Sequence, residues 1–65
     1  MFQETFIGSI PNIQRLTRWH DQHIGTEHET DPDGEGFGAV TFWELTSSEA
    51  RGLCEKAKEL RLEEA

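Results

Sequence analysis

The segment Phe37-Gly-Ala-Val-Thr-Phe-Trp-Glu-Leu-Thr-Ser-Ser-Glu-Ala50 decides the fold of this chain. Its first nine residues, 37–45, are rich in β-branched and aromatic side chains, and they predict a strand. Alternation divides the side chains between two faces: Phe37, Ala39, Thr41 and Trp43 on one, Val40 and Phe42 on the other. Because both faces carry apolar groups, we expect a central strand that is largely buried on both sides.

A helix is predicted directly after this strand. Thr46 and Glu49 have the spacing of a capping box, in which each side chain accepts a hydrogen bond from the other residue's backbone N–H group. An apolar stripe then recurs every three or four residues: Ala50, Leu53, Cys54, Ala57 and Leu60. This period predicts a helix over residues 47–62, with Cys54 as a small core residue.

The preceding half of the chain predicts a second strand and a second helix. Residues 2–8 form the strand, with Phe2 and Phe6 on one side. At about 100° per residue, one arc of a helix over residues 11–24 collects the apolar side chains and one histidine. These residues are Ile13, Leu16, His20 and Ile24. Gly25 follows at the position that favours a left-handed residue after a helix.

These elements predict a single small α+β domain spanning residues 1–65. Two helices, about 11–24 and 47–62, pack on a two- or three-stranded, mainly antiparallel sheet built from residues 2–8, optionally 26–30, and 37–45. The optional strand depends on Asp33-Gly34, which is a typical hairpin-turn pair. Only 34% of the 65 residues are hydrophobic, so the small core predicts a homodimer or a partner-dependent fold, with a marginal monomer as the alternative.

The net charge is −7, and it is concentrated in one half of the chain. Residues 19–50 contain eight carboxylates and no Lys or Arg. Such a charge disfavours direct binding to nucleic-acid phosphates and to anionic membranes, both of which attract cationic proteins. No apolar run approaches the roughly 18–20 residues of a membrane-spanning helix. The single cysteine, which excludes an internal disulfide, favours a cytoplasmic location.

Carboxylates recur at every second residue through the middle of the acidic half: Glu27, Glu29, Asp31, Asp33 and Glu35. In an extended segment they would line one side at about 6.6–6.8 Å intervals. Their mutual repulsion favours a partner that carries Lys and Arg. We predict that these five residues bind such a partner, the alternative being a merely solubilising hairpin tip. Trp19 is predicted as an exposed interface anchor, because Trp is enriched in binding hot spots.

The metal and catalytic motifs are incomplete. His20, His23 and His28 suggest zinc, but no thiolates accompany them. The stretch Asp31-Pro-Asp-Gly-Glu-Gly36 resembles the opening of an EF-hand loop, whose twelfth position, normally a bidentate Glu, is Phe42 here. Neither a nucleophile elbow nor a phosphate-binding loop is present. We therefore predict no catalytic residue, no cofactor and no metal site, and do not expect an enzyme.

Small size and negative charge favour a protein-binding module that inhibits or regulates a partner by covering a basic surface, such as one that binds nucleic acid. The chain is similar in size and charge to phage-encoded inhibitors such as anti-CRISPR and anti-restriction proteins, a similarity of composition alone. One alternative is an accessory subunit or regulator that docks through its C-terminal amphipathic helix or a sheet edge. A second is a metal-responsive module that uses the histidines or the acidic residues of segment 31–35.

Overall fold

The computed structural model describes all 65 residues as two helices packed on a four-stranded antiparallel sheet. The elements are β1 (Phe2–Ser9), α1 (Ile10–His23), β2 (His28–Pro32), β3 (Phe37–Leu45), α2 (Ser47–Glu59) and β4 (Glu63–Glu64). The strand order is β2-β3-β1-β4, so the predicted α+β fold is confirmed. Neither helix is long and apolar enough to cross a membrane.

β3 lies in the interior of the sheet, as predicted, but it is buried on one face only. Val40 and Phe42 are fully buried and belong to the core cluster, together with Phe6 of β1 and apolar residues of both helices. On the opposite face Phe37 is 55% exposed, and Ala39, Thr41 and Trp43 are partly exposed. The expectation of burial on both sides is wrong, because α1 and α2 pack on the same face of the sheet.

α2 begins with the predicted capping box and ends before the predicted residue 62. The Thr46 hydroxyl accepts a hydrogen bond from the Glu49 N–H group at 3.1 Å, and the Glu49 carboxylate accepts one from the Thr46 N–H group at 2.9 Å. At the other end, Arg61 adopts a left-handed φ of 60° and the Leu62 N–H group bonds to the Ala57 carbonyl. This is a Schellman ending, in which Arg61 takes the position usually held by glycine. It turns the chain so that Leu62 is buried and β4 pairs with β1.

α1 buries the predicted arc, with Ile13, Leu16 and His20 fully buried. Gly25 has a φ of 81°, which confirms the left-handed residue after the helix. The optional strand exists, two residues later than predicted, as β2. It joins β3 through a hairpin whose turn is closed by the side chain of Asp33, which accepts hydrogen bonds from the N–H groups of Glu35 and Phe37 at 2.8 and 3.3 Å.

Candidate functional site

The face of the sheet that the helices leave uncovered is called the open face here, and it carries the main candidate site. Register places its residues opposite one another: Thr5 and Glu29 flank Thr41, and Ile7 and Asp31 flank Ala39. The hydroxyls of Thr5 and Thr41 lie 3.0 Å apart across β1 and β3. Trp43 follows on the same face, because successive side chains of a strand point to opposite sides.

Three of the five predicted carboxylates lie in line along the edge of this face. Glu29 and Asp31 are exposed residues of β2, and Glu27 precedes them with its carbonyl bonded to the Trp43 N–H group at 2.9 Å. We call Glu27, Glu29 and Asp31 the acidic row. Asp33 and Glu35 leave the row because the chain turns there.

An open groove of about 610 Å³ lies beside the acidic row at one end of the open face. Its lining is acidic and apolar at once: Met1, Phe2, Gln3, Glu27, Glu29, Trp43 and Glu44. The register of β1 on β3 shifts at this end, where Glu44 adopts a left-handed φ of 57°. The groove therefore brings the aromatic ring of Trp43 and several carboxylates together, a combination that suits a cation.

All positive side chains lie on the other layer of the molecule or next to it. None of the four strands contains Lys or Arg. Five of the six lie in the helices and the sixth follows α2: Arg15, Arg18, Arg51, Lys56, Lys58 and Arg61. This separation means that no cation of the strands neutralises the acidic row.

Trp19, the predicted anchor, lies away from the acidic row. It is half-buried in the helical layer, packs against the core and stacks on His23 with ring centroids 4.7 Å apart. The aromatic residue near the carboxylates is Trp43 instead. Strand alternation could have identified it, because Trp43 falls on the face opposite to Val40 and Phe42.

The apolar stripe of α2, which one alternative assigned to docking, is occupied by the fold itself. Ala50, Leu53 and Ala57 belong to the buried core, and Cys54 and Leu60 pack against it. Of the two docking surfaces in that alternative, only a sheet edge therefore remains free. The edge strands are β2 and β4, and β2 is the longer.

Two groups of side chains converge closely enough to hold a metal ion. One consists of His20, Asp21 and His28, and the other of Glu4, Cys54 and Glu64. The EF-hand-like segment 31–36 contributes to neither group. His23 is also absent from both, since its Nδ1–H group donates to the Trp19 carbonyl at 2.9 Å.

Cys54 is held as a protonated thiol. Its sulfur donates to a Glu4 carboxylate oxygen at 3.4 Å, and Glu64 lies at 3.9 Å. Burial, followed by the hydrogen bond to Glu4, raises the pKa of Cys54 to about 12. Because the thiolate is the reactive form, this cysteine is unsuited to nucleophilic catalysis.

Comparison with known proteins does not identify a function for this chain. No protein-family model, curated protein or solved structure matches the chain. Two features of the molecule therefore bear on its function: the open face with its acidic row, and the group formed by His20, Asp21 and His28.

Proposed function

We propose that this protein is a protein-binding module that inhibits or regulates a partner by covering a basic surface, of the kind that binds nucleic acid. The observation that carries the proposal is the position of the acidic row beside the Trp43 groove, on strands without Lys or Arg. The proposed manner of action is that of phage-encoded inhibitors such as anti-CRISPR or anti-restriction proteins. The single free cysteine fits a cytoplasmic encounter with this partner.

The groove has the chemistry to receive an Arg or Lys side chain of the partner. A guanidinium group can lie on the indole face of Trp43, an interaction worth about 0.5–2 kcal/mol depending on desolvation. Glu27 and Glu29 line the same groove and can accept charge-assisted hydrogen bonds from it. Arg is favoured over Lys because its planar group satisfies the ring and two carboxylate oxygens together.

Exposed apolar side chains supply the second half of the proposed interface. On the open face Phe37 is 55% exposed and Ile7 is 47% exposed, and Phe2, which is 55% exposed, lines the groove at the end of that face. Charged groups accelerate association, whereas desolvated apolar contacts mainly slow dissociation. The open face therefore combines an electrostatic attraction with an apolar surface that can hold the complex together.

The test is affinity capture from the native host lysate at low and high salt, with mass-spectrometric identification and then measured affinities for the captured protein. We expect binding to weaken markedly with added salt, since exposed charges are screened within about 10 Å at 0.1 M. The variant Glu27→Gln/Glu29→Gln should lower affinity by at least about tenfold, the loss of about 1.4 kcal/mol. The matched control Glu55→Gln/Glu59→Gln removes the same charge from α2 and should change affinity less than about twofold.

Two results would contradict the proposal. One is a partner whose affinity survives neutralisation of all five carboxylates: Glu27, Glu29, Asp31, Asp33 and Glu35. The other is an equal loss in both double variants, which would make net charge, and not the open face, the determinant of binding.

A further inference from the structure

His20 is a buried histidine with one ring nitrogen left unsatisfied. The residue is 0% exposed, and its Nδ1 atom has no hydrogen-bond partner. A buried polar atom without a partner costs about 1–3 kcal/mol, and native proteins seldom leave one without a reason. The other nitrogen, Nε2, is satisfied, because it lies 2.8 Å from the Thr26 hydroxyl.

The unsatisfied nitrogen faces two further metal-ligand groups. Asp21 Oδ1 lies 3.5 Å from His20 Nδ1, and His28 Nδ1 lies 3.8 Å from the same oxygen. One ligand atom from each of the three side chains lies within 4.8 Å of the others. In a tetrahedral zinc site with bonds of about 2.0–2.1 Å, ligand atoms stand about 3.3 Å apart. The three groups therefore need to close by about 1.5 Å or less to share one ion.

The side chains of His20 and Asp21 are too far apart for a hydrogen bond that would satisfy His20 Nδ1. The 3.5 Å separation exceeds the 2.7–3.2 Å range of an N–H···O hydrogen bond. If Nε2–H donates to Thr26 instead, Nδ1 carries a free lone pair, which is the form of histidine that binds a metal. Burial lowers the pKa of His20, although the neighbouring Asp21 acts in the opposite direction.

We propose that His20 Nδ1, Asp21 Oδ1 and His28 Nδ1 bind one divalent transition-metal ion, with Zn²⁺ as the best fit. Two imidazoles and one carboxylate are ligands typical of zinc, whereas calcium and magnesium prefer oxygen alone. Asp21 is 61% exposed and His28 27%, so solvent reaches the site and a fourth position is open to water. The set differs from the one considered from sequence, since Asp21 takes the place of His23.

The ion would connect the last turn of α1 to the first residue of β2. The chain between them passes through Gly25 and Thr26, where the Gly25 N–H group bonds to the His20 carbonyl and the Thr26 hydroxyl is hydrogen-bonded to the His20 ring. Because β2 carries Glu29 and Asp31, metal binding would also order the strand that presents the acidic row. This site stands on its own contacts and does not depend on the proposed partner.

The test uses the untagged full chain, stripped with a chelator and titrated with ZnCl₂ by calorimetry, with melting temperature measured in parallel. We expect saturation at one ion per chain and a rise in melting temperature of several degrees that chelator reverses. Co²⁺ in place of Zn²⁺ should give the intense visible absorption of tetrahedral cobalt. CaCl₂ and MgCl₂ at the same concentrations should leave the melting temperature unchanged.

The test uses variants of Asp21 and His28, the two ligands that solvent reaches, because replacing the buried His20 could unfold the chain. Asp21→Ala and His28→Gln should each lower zinc affinity by at least about tenfold. His23→Gln, which removes a histidine three residues from His20, should retain wild-type affinity. The proposal is overturned if zinc does not bind at one ion per chain, if both ligand variants bind it as well as the wild type, or if His23→Gln loses it equally. The proposal is also overturned if Glu27→Gln/Glu29→Gln loses zinc binding while Asp21→Ala retains it, because the ion would then lie on the acidic row.

Discussion

Both faces of the sheet carry apolar side chains, but only one of the two faces is buried. Phe6, Val40 and Phe42 on the helix-covered face are at most 1% exposed, whereas Ile7 and Phe37 on the open face are about half exposed. Successive residues of one strand thus differ only in which side they point to. Apolar composition alone does not bury a side chain, because burial also requires an element to cover that face.

Short connections explain why both helices cover the same face. α1 begins at the residue after β1, and only Thr46 separates β3 from α2. Both helices carry an apolar stripe, and packing them side by side lets each cover part of one core. Trp19 of α1 accordingly lies against α2 at Gly52, where a methyl group would meet it at 3.7 Å. The second face is left uncovered.

The largest expected effect compares neighbouring residues on the two faces. Phe42→Ala removes a fully buried ring and should lower the free energy of unfolding by about 3–5 kcal/mol, enough to unfold much of so small a domain. Trp43→Ala, one residue along on the open face, should cost no more than about 1.5 kcal/mol. Urea titrations followed by far-ultraviolet circular dichroism measure both. Equal losses would mean that the open face also stabilises the fold, and the contrast between the faces would fail.

A smaller effect is expected from adding one methyl group at either of two glycines, Gly38 in β3 and Gly52 in α2. At Gly38, on the covered face, a Cβ atom would lie 2.8 Å from the Asp31 carbonyl oxygen and 2.9 Å from Pro32 Cα, both backbone atoms that must shift. Gly38→Ala should therefore destabilise by about 1–3 kcal/mol.

Gly52→Ala is the matched control for that change. It lies inside α2 with room for the methyl group, and it should stabilise by up to about 1 kcal/mol, because alanine favours helix more than glycine does. Thermal melts of the two variants should shift in opposite directions. A stabilised Gly38→Ala variant would show that β2 is not held tightly against β3.

The smallest expected effect is a pH dependence from Glu4, which points to the side of the sheet where Cys54 lies. Burial, with Glu64 nearby, raises the pKa of Glu4 above its ordinary value of 4.5. The folded state then binds more protons than the unfolded state, so this contribution to stability is present below about pH 4.5 and is lost as pH rises through the raised pKa.

Glu4→Gln should remove this loss of stability. Between pH 4.5 and pH 7 the variant should therefore become increasingly stable relative to the wild type. Glu29→Gln, which removes the same charge from the open face, is the control and should retain the wild-type slope. Urea midpoints across the pH range measure both. A Glu4→Gln curve parallel to that of the wild type would contradict the prediction.

Signals carried by neighbouring residues were sufficient for much of the fold. The capping box of Thr46 and Glu49, the buried arc of α1 and the left-handed Gly25 all rest on contacts within a few residues, and all are confirmed. β4 lacked any such signal, because its two residues are glutamates and the left-handed position after α2 is held by Arg61 in place of a glycine.

The candidate sites divide in the same manner. Strict alternation of carboxylates indicated the acidic row, of which Glu27, Glu29 and Asp31 share the open face. Trp19 is predicted as the anchor because Trp is enriched in binding hot spots, a reason that applies equally to Trp43. Strand alternation places Trp43 on the face opposite to Val40 and Phe42, and only the structure shows that the helices leave this face uncovered. Asp21 was overlooked as a ligand because His28 approaches it only after the chain has turned at Gly25.

Local order along the chain was enough to establish the two helices and the two long strands, how their side chains alternate, and that the negative charge is concentrated in residues 19–50. These properties depend on backbone geometry and on composition, both of which act over a few residues. Long-range packing established which face is covered, where β4 pairs, and which side chains meet around His20. Those features depend on the free energy of contacts between segments that are distant in the sequence, so they are determined only when all the elements pack around one small core.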